Sequence, residues 1–500
     1  MSKAIKQLAG ETVLYGLSHV GPRLLQFFFL APYLTREIGA TDYGIHGTMY
    51  AYAAFFIVLF TFRMETAFFR FASRNEEPDR VFSTGILGIL PLIILGTLIM
   101  YLLDEQLVEI LAREGDVRYV HWFLGIIALD ALSALPFARL RLENKARKFA
   151  VLKLLNVVIT LAIAFFMLEL LPVLGKADIQ WASALYDPAR KLDYVFLANL
   201  IASGTIMLFL FREFKFSAAL FDSSLIRKMY KYSWPLVLVS ITGVISLLFD
   251  RIFIKSFIPG DETFALAQSG IYNACVKIAV PMSLFATAFN YAAEPFFFKN
   301  SEHENAKKTY ADVALAFTLT GTLLFLGISL FLDQFKFLIG ADYREGIGIV
   351  PIVLLAYLFM GLYYNFSIWY KLTDKTIFGT YISFIGAVIT IGLNIVLIPI
   401  LGYYGSAWTV LACFLVMCLF AFYWGQQYYP IPFNVSKISR YLLLTVSLFL
   451  ISQTINKWVD PGIMVMFGIN LVIWTLYLFF VVKRENVLKK LNISMVRKRT

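Results

Sequence analysis

Two basic residues stand where this chain offers them no water. Arg23 lies between Pro22 and Leu24 in one long apolar run, and Lys277 lies deep in another, at 271–298. If such runs cross a membrane, an ionisable side chain at their centre costs about 2.5–3.5 kcal/mol on insertion scales, so it normally faces a wet cavity or a partner. Other ionisable residues keep them company. Arg63, Glu65 and Arg70 follow the second apolar run, Asp250 and Arg251 are adjacent at the end of the seventh, Asp130 is inside the fourth, and Glu294 is near the end of the eighth. Asp42 comes just after the first. Arginine offers two parallel hydrogen bonds to phosphate oxygens, and lysine adds a point charge. A cavity holding Arg23 and Lys277, with Arg63 and Arg70 at its inner mouth, suits an anionic head group such as a phosphate or diphosphate.

Plainer readings fit the same residues. Arg23 and Lys277 can pair internally or snorkel to an interface. Arg63 and Arg70 can be membrane anchors of the positive-inside kind. Glu65, Asp250, Arg251, Glu294 and Asp42 can serve as gating or cavity pairs, or simply as interface ion pairs. Asp130 can carry a proton or a coupling cation, or be a hydrogen-bonded structural acid. His19, His46 and His121 read as satisfied polar residues of helices, with no proton-relay role.

The elements that position these groups are legible from hydropathy. The chain is 59% hydrophobic and 15% charged, with a mean hydropathy of +0.72, whereas a soluble protein carries about 25% charged residues. Apolar runs of roughly 18–25 residues recur about fourteen times. They are placed at 11–34, 44–62, 81–103, 117–136, 150–171, 194–211, 232–254, 271–298, 309–332, 348–370, 377–400, 404–424, 438–455 and 462–482. The loops between them alternate between rich and poor in Lys and Arg. Arg139, Arg141, Lys145, Arg147 and Lys148 crowd the loop after span 4, and Asp104, Glu105, Glu109, Glu114 and Asp116 the loop after span 3. Basic loops stay in the cytoplasm, so both termini are expected inside. The expected fold is all-α integral membrane.

Several function classes are excluded. The net charge of +11 is spread over separate short loops and forms no nucleic-acid patch. There is no phosphate-loop motif, no H-E-x-x-H and no clustered His/Cys ligand set, so no cofactor and no metal is expected. Cys275, Cys413 and Cys418 lie inside apolar runs and read as core residues. Asn434 and Asn492 head glycosylation sequons on the cytoplasmic side, where the signal has no meaning. No loop is long enough for a soluble catalytic domain, and the longest outer one, near 172–193, has room for a short surface helix.

The chain also repeats weakly. Tyr43-Gly44-Ile45-His46-Gly47-Thr48 in span 2 parallels Ser269-Gly270-Ile271-Tyr272-Asn273-Ala274 in span 8, and Val157–Ala162 in span 5 parallels Ala387–Gly392 in span 11. An offset of six spans predicts two six-helix lobes of parallel orientation with a site between them. They would occupy 1–215 and 216–430, followed by spans 13–14 (431–482) and a basic cytoplasmic tail (483–500).

Certain stretches resemble the polysaccharide-type flippases of the multidrug/oligosaccharidyl-lipid/polysaccharide exporter superfamily. One is Leu393-Asn394 through Pro399, Gly402, Gly405 and Ala407, similar to that family's N-x-x-L-I-P-x-x-G-x-x-G-x-A corner between spans 11 and 12. Another runs from Pro235 through Asp250-Arg251 to Gly270 and Tyr272. A third is Ile38-Gly39 to Asp42-Tyr43-Gly44, and the basic loop from Arg139 to Ala150 also fits. The resemblance implies a carrier, not an enzyme, moving a polyprenyl-diphosphate-linked oligosaccharide from the inner to the outer leaflet of a bacterial cytoplasmic membrane. It implies membrane lipids, a polysaccharide polymerase and glycosyltransferases as partners, and no nucleic acid. A surface-polysaccharide (O-antigen-type) repeat unit is the preferred cargo. Arg23 and Lys277 match the places where lipid II flippases of the superfamily use basic residues, and Asp42 matches an acid there. The longer Arg- and Gly-containing span 2 signature of that branch is not present. A multidrug antiporter of the same superfamily is the main rival, although span 1 offers Arg23 where such a protein needs an acid. A membrane polymerase or ligase is a more distant one.

Overall fold

The computed structural model describes residues 21–73, 77–111, 117–177, 179–299, 301 and 303–485. Among the described residues the regular structure is helical, with no strand. Hydrocarbon dictates this, because each backbone N–H and C=O there must find its partner within its own segment. Thirteen described helices are long and apolar enough to cross a bilayer, from Ala40–Thr61 to Ile463–Arg484. Each falls on one of the expected spans 2–14. Of expected span 1, residues 11–20 lie outside the described residues. From 21 to 37 the chain is helical, with a π-helical stretch at Gln26–Leu30.

Local chemistry sets several ends. The Asp222 carboxylate accepts from the backbone N–H of Ser224 (2.8 Å) and Leu225 (3.1 Å), which starts span 7 at Ser223–Leu248. Pro78 opens span 3, where its missing N–H costs nothing. The Asn434 side chain accepts from the Lys437 N–H at 3.0 Å, so this sequon asparagine caps span 13. The loop after span 5 carries the short helix Gln180–Leu185.

Two spans are interrupted. Span 2 (Ala40–Thr61) ends at Phe62 and Arg63, both left-handed (φ 47° and 54°), before the helix Met64–Ala72 begins. Two consecutive non-glycine residues in that region cost roughly 1–2 kcal/mol each. Span 7 ends at Leu248, and Asp250–Phe257 forms a separate short helix. Asp250 and Arg251 therefore sit in the first turn of a new helix, not at the end of span 7.

The chain divides into two compact units. The first comprises Met1–Lys277, Ile339–Gly346 and Ser383–Thr409; the second comprises Ile278–Leu338, Ile347–Ile382 and Val410–Thr500.

Within the first unit, spans 2 and 8 (Glu262–Lys299) cross on glycine. A Cβ at Gly44 would stand 1.9 Å from the Leu266 carbonyl oxygen, and one at Gly270 would stand 1.9 Å from that of Ala40. A Cβ at Gly47 would meet Asn273 Nδ2 at 2.6 Å. The pairs Ala40/Leu266, Gly44/Gly270 and Gly47/Asn273 are each 226 residues apart, which is the register of the span 2/span 8 repeat. Reciprocal contact of equivalent residues is what a local two-fold axis between these helices produces. Small residues permit such an approach.

The span 11–12 corner also belongs to this unit. Gly402 is left-handed (φ 59°) and Gly405 lies against the Leu397 carbonyl. The Asn394 amide donates to Thr390 O at 2.7 Å and accepts from the Ser406 hydroxyl. Most of the polar and glycine positions in that sequence signature are thus used to build a tight hairpin.

In the second unit, span 14 (Ile463–Arg484) and span 13 (Val435–Val459) dock on span 9 (Ala306–Ser329) through a ladder of hydrogen bonds. Asn470 donates to Leu330 O (2.6 Å) and accepts from Ser452 (2.6 Å). Tyr477 donates to Thr322 (2.9 Å) and accepts from Thr445 (3.0 Å). Trp474 donates to Leu323 O at 3.1 Å. At the C-terminal end of span 14 Glu485 accepts from Tyr441 (2.6 Å) and Lys437 (2.7 Å).

Candidate functional site

The site builds outward from Lys277, fifteen residues into span 8 and half-buried. Arg251, Asp250 and Arg23 all lie within its electrostatic range. Arg251 is buried; its Nε donates to Asn273 Oδ1 at 2.8 Å, and its Nη1 is 3.5 Å from Asp250 Oδ1. Asp250 is buried too, and its Oδ1 also accepts the Arg251 backbone N–H at 2.9 Å. Ser269 ties the Arg251 carbonyl to span 8 at 3.1 Å. Arg23, on span 1, presents an exposed side chain. Among the described residues three cations thus lie near one carboxylate, on three helices of the first unit. Charges kept inside a low-dielectric protein act strongly on each other, and here the positive ones are in excess.

Four sequence-selected residues meet here: Arg23, Lys277, Asp250 and Arg251. The others do not join them. Arg63 pairs with Glu65 (2.9 Å) at the break in span 2. The Nε of Arg63 and the Oε2 of Glu65 are buried without a hydrogen-bond partner among the described residues. Arg70 lies over the Tyr232 ring, 4.1 Å from its centroid. Asp42 stands in the first turn of span 2, where a negative charge complements the helix dipole. Glu294 belongs to the second unit and pairs with Lys371 at 2.7 Å.

Asp130 anchors a separate polar line in the first unit. Ser203 Oγ donates to its carboxylate at 2.9 Å and lies 3.4 Å from Asn199 Oδ1. The Asn199 amide donates to the Tyr50 hydroxyl. Tyr50 packs on His46 with ring centroids 4.6 Å apart, and His46 stacks on Tyr43 at 5.6 Å. Lys277 and Arg251 are within electrostatic range of His46, and Lys153 of span 5 is within range of Asp130.

Sequence reasoning gave His46 no functional role and did not select Asn273 or Lys153. Tyr43, His46 and Tyr50 share one helical face of span 2, and that spacing was the available signal. His121 is paired instead with Asp104 at 2.8 Å, and His19 lies outside the described residues. Cys275, Cys413 and Cys418 are buried thiols that form no disulfide among the described residues. An apolar groove of about 660 Å³ between spans 3 and 4, lined by Leu90, Ile93, Leu124 and Leu132, holds none of these cations.

A bundle of apolar helices around buried charge defines a multi-pass membrane protein with a cationic interior. Comparison with solved structures gives the fold a context. The chain resembles the lipid II flippase MurJ in an inward closed conformation, with a TM-score of 0.66 at 14% identity, over 94% of this chain and 99% of that one. It also resembles a multidrug resistance MATE family transporter of the MOP superfamily. The inward-facing form gives a TM-score of 0.57 at 13% identity, over 85% of this chain and 99% of that one. The outward-facing form gives 0.57 at 14% identity, over 86% and 96%. The chain shares the fold of these transporters. The profile of the polysaccharide biosynthesis protein family matches residues 8–301, and the chain belongs to that family. No protein of curated function matches the sequence.

Proposed function

We propose that this protein is a flippase that carries a polyprenyl-diphosphate-linked oligosaccharide, a surface-polysaccharide repeat unit, from the inner to the outer leaflet of a bacterial cytoplasmic membrane. The observation that carries the reading is the cationic cluster of Arg23, Lys277 and Arg251 inside a fold shared with MOP carriers. The family match supplies the glycan context.

The chain supplies each step of the proposed cycle. Arg63 and Arg70 at the inner mouth attract the sugar diphosphate. Arg23 and Lys277 hold the diphosphate within the cluster while Asn273 and Asp250 orient Arg251. The polyprenyl tail stays in lipid, along spans 13 and 14. Two lobes, 1–215 and 216–430, alternate access to the site; the reciprocal Gly44/Gly270 contact supports the repeat on which this division rests. An inside-negative potential favours outward movement of negative charge by about 2.3 kcal/mol per charge per 100 mV. Binding and reorientation complete this cycle without a bond being made or broken.

The test is a deletion strain. Loss of one surface polymer, with its lipid-linked repeat unit trapped on the cytoplasmic face, is the expected result. Unchanged glycans with new sensitivity to cationic toxins would overturn the reading in favour of a multidrug antiporter.

A further inference from the structure

The proposed head-group site does not use the line of polar side chains that runs from Asp130 toward it. Its members come from four helices of the first unit: Tyr50 and His46 on span 2, Asp130 on span 4, Lys153 on span 5, Asn199 and Ser203 on span 6. An uncommitted carboxylate in a span is costly. Among the described residues its close partner is the hydroxyl of Ser203, at 2.9 Å. Lys153 is within electrostatic range but is itself solvent-exposed, and its ammonium sits 4.0 Å from the Phe137 ring centroid.

The geometry makes Ser203 a two-position donor. It has one hydroxyl proton and two acceptors, the carboxylate of Asp130 and the amide oxygen of Asn199. With Asp130 ionised, the proton points at the carboxylate. With Asp130 protonated, the acid donates to Ser203 and the serine proton turns to Asn199. Asn199 already donates to Tyr50, and Tyr50 packs on His46. His46 Nδ1 is buried and has no hydrogen-bond partner among the described residues. It is therefore able to respond to charge brought to Lys277 and Arg251, its electrostatic neighbours.

We infer that Asp130 is a proton-binding site linked through Ser203, Asn199, Tyr50 and His46 to the Lys277/Arg251 cluster, so that anion binding at the cluster is accompanied by proton uptake. The sign follows from Coulomb's law, since an arriving anion favours protonation of nearby acids. A proton suits the site better than a metal cation, because Lys153 already places a positive charge within electrostatic range of the same carboxylate. The charged and titratable groups facing the line are Lys153 with Arg141 behind it at one end, Tyr50 and His46 along it, and Tyr43, Lys277 and Arg251 at the other end.

This linkage rests on the head-group reading, and the experiment separates the two. Purified full-length protein is titrated with farnesyl diphosphate between pH 5 and 8, in buffers of differing ionisation enthalpy. The probe itself titrates, so the comparison is between wild type and Asp130→Asn, which keeps the shape and the Ser203 contact. Wild type is expected to take up protons on binding, with an affinity that weakens about fivefold or more as pH rises beyond the probe's own dependence. Asp130→Asn should bind with only the probe's dependence. Tyr50→Phe should bind at low pH like wild type while losing most of the excess proton uptake. Equal proton uptake in wild type and Asp130→Asn would overturn the linkage while leaving the head-group site standing. Failure of the wild type to bind the probe would overturn the head-group reading, and the linkage with it.

Discussion

One set of helices in each unit handles buried polar groups differently. In the second unit, spans 9, 13 and 14 pair most of theirs. Asn470 and Tyr477 each donate once and accept once, and Glu485 accepts from two donors. Satisfied groups of this kind fix helix register and contribute roughly 0.6 kcal/mol each in membrane proteins. Around Lys277 in the first unit the balance is left open. Three cations share the neighbourhood of one carboxylate, and His46 Nδ1 is unpaired among the described residues. A membrane protein keeps uncompensated charge only where something else compensates it during work. The ladder is therefore read as structure, and the cluster as the place where cargo acts.

The largest effect expected from that contrast is on transport. Arg23→Ala and Lys277→Ala should each lower export of the surface polymer about 10–100-fold at normal protein level, in line with about 1.5–3 kcal/mol for a hydrogen bond to a charged group. Quantitative immunoblotting of the membrane fraction alongside glycan staining checks this. Unchanged export in both variants would remove these residues from the site.

A smaller effect of the opposite kind is expected in the ladder. Tyr477→Phe removes the bond to Thr322 and should cost about 0.5–1.5 kcal/mol of stability. Export per folded molecule should not change. A thermal-shift measurement in detergent together with the export assay distinguishes the two, and a fall in export without a fall in stability would erase the contrast drawn between the units.

The smallest effect lies in the basic loop after span 4. Glu143 is bonded to Lys145 (2.6 Å) and to Arg139 (2.8 Å). Burial pushes its carboxyl up, but those hydrogen bonds outweigh it and hold the group below the ordinary glutamate range. A depressed carboxylate stabilises the fold above its unfolded value, near 4.3, and that contribution fades as pH falls through the lower folded value. Glu143→Gln should cost at most about 1 kcal/mol at neutral pH and nothing under strong acid. A pH series of unfolding midpoints for the two proteins would show it.

Sequence reading reached different depths for different residues. Arg23 and Lys277 stood out because charge inside an apolar run is visible by itself, and Asp250 and Arg251 because they interrupt another run. His46, Asn273 and Lys153 gave no such signal. His46 and Asn273 are ordinary polar residues of helices, and Lys153 reads as an inner-end charge of span 5. Glu294 looked like a member of the same cavity by its position in span 8, yet it lies on the part of that helix belonging to the second unit and is paired with Lys371.

The sequence by itself determined the class of protein and the positions of spans 2–14. Each is a property of a short window, since transfer from water to hydrocarbon is set residue by residue along a helix. The glycines that the sequence places at 44, 270 and 405 fall where backbones come close. Only the tertiary structure decided which polar groups meet. Arg251 and Asn273 are 22 residues apart, Asp130 and Ser203 are 73, and Tyr50 and Asn199 are 149. Such meetings depend on how each helix is rotated and where it crosses its neighbours, and packing between spans fixes both.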